Sequence, residues 1–188
     1  MPKIVTKNIT KFSHHYPRTA VIVTTSAQGK DNAMTAAWHS SISLHPPLYG
    51  VSISPNRFTY HLIAKSEEFG INFIPFNKAS LAAQIGSTSG QEMDKFERFN
   101  IKKEKPLNTG VPILKDAYAT YECKLVDSRS YGDHIWVIGE IVAVHYLEEA
   151  FTTELVLDID KVKPLLYLSS EFYATTDKDS LQFIQRGI

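Results

Sequence analysis

Cysteine is nearly absent from this sequence of 188 residues, and neither sign of charge is in excess. Because Cys123 is the single cysteine, no intrachain disulfide can form and a site of four cysteine ligands is excluded. The 20 basic and 20 acidic residues cancel, so the chain has no overall field that attracts nucleic acid or an anionic membrane. We therefore expect a protein of a reducing compartment that binds neither nucleic acid nor a membrane.

Long apolar runs, repeats and linkers are also missing. No stretch approaches the roughly 18 consecutive apolar residues of a membrane-spanning helix, and the first residues hold no apolar segment typical of a secretion signal. These absences favour a cytoplasmic protein. Without an internal repeat or a Pro/Gly-rich linker, the simplest organisation is a single domain over residues 1–188, with short arms at both ends.

Two common ligand-binding signatures are absent as well. The seven histidines show no paired spacing with cysteine or carboxylate, which argues against a metal site. No G-x-G-x-x-G segment follows a predicted strand, so a dinucleotide would not be held in the manner of a doubly wound α/β fold. A pyridine nucleotide would have to bind in another way.

The residues that are present predict a mainly β chain. TAVIVTT at residues 19–25 is rich in β-branched side chains and predicts a buried strand, and turn residues at 28–32 place a second strand from Ala33 onward. In residues 134–146 apolar side chains fall on both faces, which predicts a central strand buried on two sides. Strands at hairpin spacing without a βαβ rhythm predict a closed or partly closed antiparallel barrel. We also expect strands at residues 48–53, 69–74, 117–127 and 165–168, helices at 58–65 and at 78–85 with Gly86 as its end, and a helical turn within 93–99.

The first segment that suits a ligand is NAMTAAWH, at residues 32–39. Asn32 offers an amide that both donates and accepts hydrogen bonds, and small residues such as Ala36 and Ala37 let a flat ligand approach the backbone closely. Strand backbone can match the row of donors and acceptors along the edge of a pteridine-like ring. The same small residues would also permit tight packing, with Trp38 as a core filler, so the segment alone leaves both interpretations open.

The segment SPNRFTY follows a predicted strand and opens a predicted helix. A helix N-terminus presents free N–H groups and a partial positive charge, which favours an anion. Arg57 can grip a phosphate with two parallel hydrogen bonds, and Ser54, Thr59 and Tyr60 supply hydroxyls. The other interpretation is that Ser54 or Asn56 caps the helix while Arg57 lies in solvent.

Two further features allow more than one interpretation. GSTSGQEMDKF at residues 86–96 is too polar and glycine-rich for a core, so it is either a loop that covers a ligand or a mobile surface excursion. His134 begins a predicted strand beside a Gly-Asp turn. At a strand end next to a cleft it would stack on or hydrogen-bond a substrate, or it is a surface histidine that serves only the turn.

Taken in order, these segments resemble the flavin reductase-like family of FMN-binding split barrels. The resemblance runs from about Tyr16 to Ala174. It is carried by YPRTAVIVTT, NAMTAAWHSSISLHPPLYGVSISPNRFTYHLI, EFGINFI, GDHIWVIGEI and PLLYLSSEFYA. The resemblance implies an antiparallel split β-barrel of the Greek-key type with a few short helices, and FMN held noncovalently near the interface of a homodimer.

The resemblance also implies which residues bind the cofactor. The edge of the isoalloxazine ring would be lined by Asn32, Met34, Thr35 and Ala36, with Trp38 nearby. The phosphate would be held by the turn after the third strand, through Ser54, Asn56, Arg57 and Thr59. Some relatives place serine directly after the arginine, whereas this chain has Phe58, so Thr59 or Tyr60 would supply that hydroxyl.

The remaining implied residues lie later in the chain. The segment SGQEMDKF resembles one that closes over the cofactor, which nominates Ser89, Gly90 and Lys95. Tyr167, in the last strand, would lie near the flavin of one subunit. His134 matches a histidine beside the nicotinamide in NADH-using relatives and is the candidate catalytic residue.

Three functions are compatible with these expectations. The first is an NAD(P)H-dependent flavin reductase, in which hydride passes from nicotinamide C4 to flavin N5. The second is an FMN-containing electron carrier, similar to a flavoredoxin, that does not use NAD(P)H directly. The third is a structural barrel without a cofactor. We expect the first, with FMN as cofactor, NADH or NADPH as a possible substrate, and a homodimer as the assembly.

Overall fold

The computed structural model of the protein describes residues 1–185. Within this part the chain is mainly β with three short α-helices, as the sequence predicts. The elements are β1 (Arg18–Thr19), β2 (Val21–Ala27), β3 (Lys30–Ala36), β4 (His39–Leu44), β5 (Pro47–Ile53), α1 (Phe58–Ser66), β6 (Glu68–Phe73), α2 (Ala79–Ser87), α3 (Lys95–Arg98), β7 (Lys103–Glu104), β8 (Ile113–Leu114), β9 (Ala119–Tyr131), β10 (His134–Tyr146), β11 (Leu166–Ser169) and β12 (Phe172–Ala174).

An antiparallel sheet of seven strands, in the order β3-β2-β6-β9-β10-β5-β4, forms the body of the protein. The chain runs directly from β3 through Trp38 into β4, and the carbonyl oxygen of Trp38 accepts the N–H of Ser52 on β5 at 2.8 Å. This hydrogen bond brings β3 back to β5 and curls the sheet into a barrel. Beyond it β3 and β5 separate, which makes the barrel a split one.

Both faces of β2 are buried, which explains its unbroken run of β-branched residues. Val21 and Val23 point into the barrel, where they pack with Val51, Phe69 and Val137. The opposite face of the strand packs under α2, α3 and the segment that leads to β11. That second cluster contains Ala20, Ile22, Ala33, Ile74, Ala82, Ile85, Phe96, Ile101, Leu114, Ala117 and Leu165.

The hairpin turns are shorter than the sequence predicts. Gln28 and Gly29 both have positive φ, at 54° and 75°, so a two-residue turn closes the pair Ala27–Lys30. Strand β3 therefore begins at Lys30, three residues before the predicted start. Strands β4, β7, β8 and β12 were missed by the sequence analysis, since none of these short segments has a run of β-branched residues.

Two other expectations are wrong in detail. Gly86 does not end α2 but lies inside it, where a Cβ would meet the Cβ of Thr35 at 3.4 Å, so the glycine lets the helix approach β3 closely. Strand β10 is not equally buried on both faces. Ile135 and Val137 are buried in the barrel, whereas Trp136 and Ile138 on the other face are only half-buried.

A buried carboxylate ties the segment around residue 108 to the sheet. Glu122 on β9 is fully buried, and its oxygens accept the N–H groups of Leu107, Asn108 and Thr109 at 2.6, 2.9 and 2.8 Å. They also accept the Thr109 hydroxyl at 2.7 Å and contact Nε2 of His145. Burial by itself would raise the pKa of this carboxyl, but His145 and the other donors together lower the pKa to about 2.

The single cysteine, Cys123, lies in the barrel core. Burial raises the pKa of its thiol to about 12, so it is not a reactive thiolate at neutral pH.

Across residues 1–185, every helix falls short of the length and apolar character that a membrane crossing requires.

Candidate functional site

The gap between β3 and β5 forms a groove of about 500 Å³. We call it the split groove. Its walls come from three places: the end of β3 and the link to β4, the end of β5 with the turn into α1, and the first residue of β10. The lining residues are Met34, Thr35, Ala36, Ala37, Trp38, Ser52, Ile53, Ser54, Asn56, Arg57 and His134.

One wall of the split groove ends at a helix N-terminus that no side chain caps. A turn closed by the N–H of Arg57 and the oxygen of Ser54, at 3.0 Å, connects β5 to α1. Arg57 itself is the N-cap, and its side chain makes no capping bond. The first turn of α1 contains no acidic residue. Neither Ser54 nor Asn56 satisfies the free N–H groups, so this end of α1 keeps its attraction for an anion.

Two cationic side chains lie close to this helix start. Lys95, at the start of α3, is only 4% exposed, and its Nζ donates to the oxygens of Ala33 at 2.9 Å and Ile85 at 2.8 Å. Burial, and secondarily the positive charge of Arg57, lower the pKa of Lys95 to about 8. Within residues 1–185 neither cation forms an ion pair with an acidic side chain. Two unneutralised cations in one place favour a bound anion.

A buried amide links this region to β3. Asn32 is 2% exposed, and its Nδ2 donates to the hydroxyl of Thr59 in α1 at 2.8 Å. Its Oδ1 has no hydrogen-bond partner among residues 1–185. Gly90 lies against the same amide, since a Cβ there would overlap Asn32 Oδ1 and come within 3.1 Å of the Phe58 ring. A buried acceptor left unmatched costs free energy, which a donor on a ligand would recover.

The other end of the split groove is aromatic. The ring of His134, the first residue of β10, lies 4.9 Å from the ring of Trp38. Nδ1 of His134 is 2.8 Å from Oδ1 of Asp133, an exposed residue of the turn. The imidazole therefore contacts the turn and also lines the groove, and its contact with a substrate stays a prediction.

Eight of the fifteen residues nominated from the sequence line the split groove. They are Met34, Thr35, Ala36, Trp38, Ser54, Asn56, Arg57 and His134. Of the other three lining residues, Ala37 belongs to the segment NAMTAAWH, where the sequence analysis noted its small side chain, and Ser52 and Ile53 were missed. Both missed residues lie within two positions of Ser54, so starting the second segment two residues earlier would have included them.

The other seven nominated residues lie around the groove rather than in its lining. Asn32, Thr59, Gly90 and Lys95 form the buried layer described above. Tyr60 packs against the barrel core, and the Ser89 hydroxyl accepts the N–H of Gln91 at 3.3 Å. Tyr167 lines a different cavity, of about 700 Å³, which reaches Thr35, Ala36 and Ala37 from the side of α2.

The fold and the groove together define a class of protein. A split antiparallel barrel with a groove at its split, flanked by cations and an open helix start, has the form of a split-barrel protein that holds an anionic cofactor. The chain belongs to the flavin reductase-like family, since the model of the flavin reductase like domain matches residues 13–176.

Solved structures and curated proteins agree with this assignment. The FMN-binding protein from Thermus thermophilus with bound 1-cyclohex-2-enone has a TM-score of 0.85 and 32% identity, covering 97% of this chain and 99% of that chain. The flavoredoxin from Methanosarcina acetivorans has a TM-score of 0.81 and 25% identity, covering 100% of this chain and 96% of that chain. The NADH:FMN oxidoreductase of Rhodococcus erythropolis is 25% identical over 161 residues, which are 86% of this chain and 77% of that protein.

One curated relative is considerably longer than the matched region. An uncharacterized protein of Aeropyrum pernix is 33% identical over 156 residues, which are 81% of this chain. The match covers 58% of that protein's length.

Proposed function

We propose that this protein binds FMN in the split groove and acts as an NAD(P)H-dependent flavin reductase. The observation that carries the proposal is the pair of unneutralised cations, Arg57 and Lys95, beside the uncapped start of α1. FMN ends in a phosphate that carries a charge of about −1.5 to −2 at pH 7. That group would lie at the turn formed by residues 54–57, with the ring along residues 34–36 of β3.

The residues present fit FMN in three respects. The groove volume of about 500 Å³ lies within the range of roughly 300–1,000 Å³ that is usual for small-molecule sites. Small side chains at Ala36 and Ala37 leave the backbone of the free edge of β3 accessible to a flat ring. The start of α1 at the cation end has no side-chain cap within residues 1–185, so its free N–H groups suit a phosphate.

When bound, FMN would supply a ring that accepts hydride, and the chain would bind and orient the two reactants. Arg57, Lys95 and the N–H groups of α1 would hold the phosphate end. Trp38 and His134 would present the aromatic end of the split groove to the nicotinamide of NAD(P)H. The name of the Rhodococcus relative supports NADH as donor, whereas the flavoredoxin supports the carrier as the second candidate.

We also propose a homodimer. Strand β4 is at the edge of the large sheet, and Ile42 and Leu44 on it are 43% and 80% exposed. An exposed apolar edge strand is a surface that a second copy would cover. Light scattering at micromolar concentration is expected to give about twice the monomer mass of 21.2 kDa, and a monomer mass would contradict this assembly.

Titration of flavin-free protein with FMN and with riboflavin tests the phosphate site. Charge-assisted hydrogen bonds to the phosphate are worth about 1.5–3 kcal/mol, so FMN should bind about ten- to a hundredfold more tightly than riboflavin. Equal affinities would contradict a phosphate site at Arg57, and failure to take up either flavin would refute the cofactor itself.

Anaerobic addition of NADH or NADPH to the FMN-loaded protein then separates reductase from carrier. Rapid loss of the flavin absorbance band with one of the two nucleotides is the result expected of a reductase. If neither nucleotide reduces the flavin while dithionite does, the protein is a carrier and the reductase proposal fails.

A further inference from the structure

The indole of Trp38 lines the split groove, but no strand pairing of Trp38 itself fixes the orientation of the ring. Trp38 lies between β3 and β4 and belongs to neither. On the groove side its ring meets His134 at 4.9 Å between ring centroids. On the other side the N-terminal arm approaches it, with the ring of Phe12 at 6.1 Å.

Behind Trp38 lies a further cavity, which we call the arm cavity. It measures about 270 Å³ and is bordered by the arm, by Trp38 and by the strand that carries Tyr167. In a closely packed interior the neighbours of a side chain restrict it to one rotamer. Among residues 1–185 no side chain fills the arm cavity beside the indole, so their packing alone does not hold the ring against the groove.

A single hydrogen bond supplies the missing restraint. Nε1 of Trp38 donates to the hydroxyl of Tyr16 at 2.8 Å. Tyr16 is itself half-buried, with its ring 5.8 Å from that of Tyr167 and its N–H bonded to the oxygen of Ser13 at 3.1 Å. The contact with Tyr167 and the backbone bond to Ser13 therefore hold Tyr16 in place, and its hydroxyl in turn holds the indole of Trp38.

We propose that Tyr16 is a positioning residue that holds Trp38 as the aromatic wall for the second reactant of the split groove. This inference rests on the proposed function, because the second reactant is taken to be the nicotinamide ring of NADH or NADPH. A planar ring gains most from an aromatic wall when the wall keeps one orientation. Tyr16 is not among the residues that line the split groove. It would act through Trp38, and the arm cavity is the space that Trp38 would enter without it.

Tyr16→Phe tests the inference because it removes only the acceptor oxygen. The dissociation constant of the nucleotide, from stopped-flow flavin reduction, should rise about two- to tenfold, the usual effect of one lost hydrogen bond. The limiting reduction rate and the affinity for FMN should each stay within about twofold, because the lost contact orients only the second reactant. Tyr146→Phe removes the same group at the far end of β10 and should change none of these values.

A double-mutant cycle shows whether Tyr16 acts through Trp38. Trp38→Phe removes the donor of the same hydrogen bond, so adding Tyr16→Phe to it should raise the dissociation constant no further. Additive effects of the two substitutions would mean that Tyr16 acts elsewhere, which would overturn the inference.

Fluorescence separates this inference from the proposed function. The chain has two tryptophans, Trp38 and Trp136, so a Trp136→Phe background leaves Trp38 as the single indole emitter. There Tyr16→Phe should shift the emission of Trp38 and change its quenching by bound FMN. Unchanged emission overturns the inference. If wild-type protein is not reduced by NADH or NADPH, the proposed function fails and Trp38 is not a wall for nicotinamide, whereas the emission of Trp38 still decides whether Tyr16 holds the indole.

Discussion

Two buried polar clusters in this protein differ in how completely their hydrogen-bonding groups are matched. Around Glu122 a fully buried carboxylate meets three backbone N–H groups, a hydroxyl and an imidazole nitrogen. Around Asn32 an amide oxygen has no partner within residues 1–185. In the same region Arg57 and Lys95 lack an acidic partner in the described part of the chain.

We infer that the Glu122 cluster stabilises the fold and that the Asn32 cluster is part of a site for a ligand. A buried network with every group matched contributes to stability and has no capacity left for binding. An unmatched buried acceptor costs free energy until a donor completes it. Arg57 is exposed and Lys95 is buried, and the positive charge of this pair favours an anion. A flavin phosphate would carry the negative charge that pairs with these two cations. The predictions below test this division, beginning with the largest expected effect.

Removal of the Glu122 carboxylate should produce the largest loss of stability. Glu122→Ala leaves the N–H groups of Leu107, Asn108 and Thr109 without their acceptor. The free energy of unfolding, measured with urea, should fall by about 3–5 kcal/mol. FMN affinity of the folded fraction should not change. The exposed Glu140 on the neighbouring strand is the control, since Glu140→Ala should stay within about 0.5 kcal/mol. A loss below about 1 kcal/mol at Glu122 would show that the cluster is not a stabilising one.

Low pH should remove the stabilisation that the Glu122 cluster provides. The pKa of Glu122 in the folded protein is about 2, below its ordinary value of 4.5. The unfolded chain therefore binds this proton more readily, and the stabilisation is complete above about pH 4.5 and lost as pH falls toward 2. Between pH 5 and pH 2 the wild type should lose about 3 kcal/mol more than Glu122→Gln. Parallel stability curves for the two proteins would contradict this assignment.

The sequence predicts the Arg57 end of one cluster, whereas it gives no indication of the Glu122 cluster. Arg57 was nominated because an arginine at a strand-to-helix junction is a local pattern, and all of its determinants lie within a few residues. Glu122 was not noticed, because its donors are 13 to 15 residues earlier and its imidazole partner is 23 residues later. Only the pairing of β9 with β10 and the path of the loop bring them together.

The same distinction explains the outcomes in the fold. The strand at β2 and the helix α1 were predicted because β-branched runs and helical spacing are local signals. The burial of Lys95 and its bonds to Ala33 and Ile85 depend on α2 packing over β3, which no local pattern encodes. The role of Gly86 inside α2 was likewise invisible, since it depends on the approach of Thr35.

Removal of the Arg57 side chain tests whether the Asn32 cluster binds the phosphate of FMN. If Arg57 holds the phosphate, Arg57→Ala should weaken FMN binding by about 1.5–3 kcal/mol, or about ten- to a hundredfold. Riboflavin affinity should be nearly unaffected. Stability should stay close to that of the wild type, because Arg57 is exposed and loses no acidic partner among residues 1–185. Arg98→Ala, at an exposed arginine of α3, is the matched control and should change neither affinity. Equal losses for both flavins would place the phosphate elsewhere.

Alkali should weaken FMN binding through Lys95. Burial, followed by the charge of Arg57, lowers the pKa of Lys95 to about 8 from 10.5. The native state thus releases this proton more readily than the unfolded chain, and the cost of burying the ammonium is relieved as pH rises through 8. A phosphate favours the charged form, so FMN should bind up to about tenfold more weakly at pH 9 than at pH 7. Riboflavin controls for titration of the ring itself, and Lys95→Met should flatten the FMN curve.

The smallest effects should come from two histidines at opposite ends of β10. They allow the comparison of the two regions to be made with single substitutions. His145 pairs with the buried Glu122, whereas His134 pairs with the exposed Asp133 and faces Trp38 in the split groove. The first belongs to the matched cluster, and the second lines the split groove. His145→Ala should therefore lower the urea midpoint and leave flavin reduction unchanged.

His134→Ala should show the reverse pattern. Hydride transfer needs no acid or base at this position, so an orienting contact is the role left to the imidazole. The dissociation constant for NAD(P)H should rise about two- to tenfold, the usual effect of one lost contact. The FMN affinity should hold, because the phosphate end of the groove is formed by residues 54–57. Stopped-flow reduction over a range of nucleotide concentrations measures both quantities. Superimposable curves for wild type and variant, together with a lowered melting temperature, would leave His134 as a residue of the turn alone.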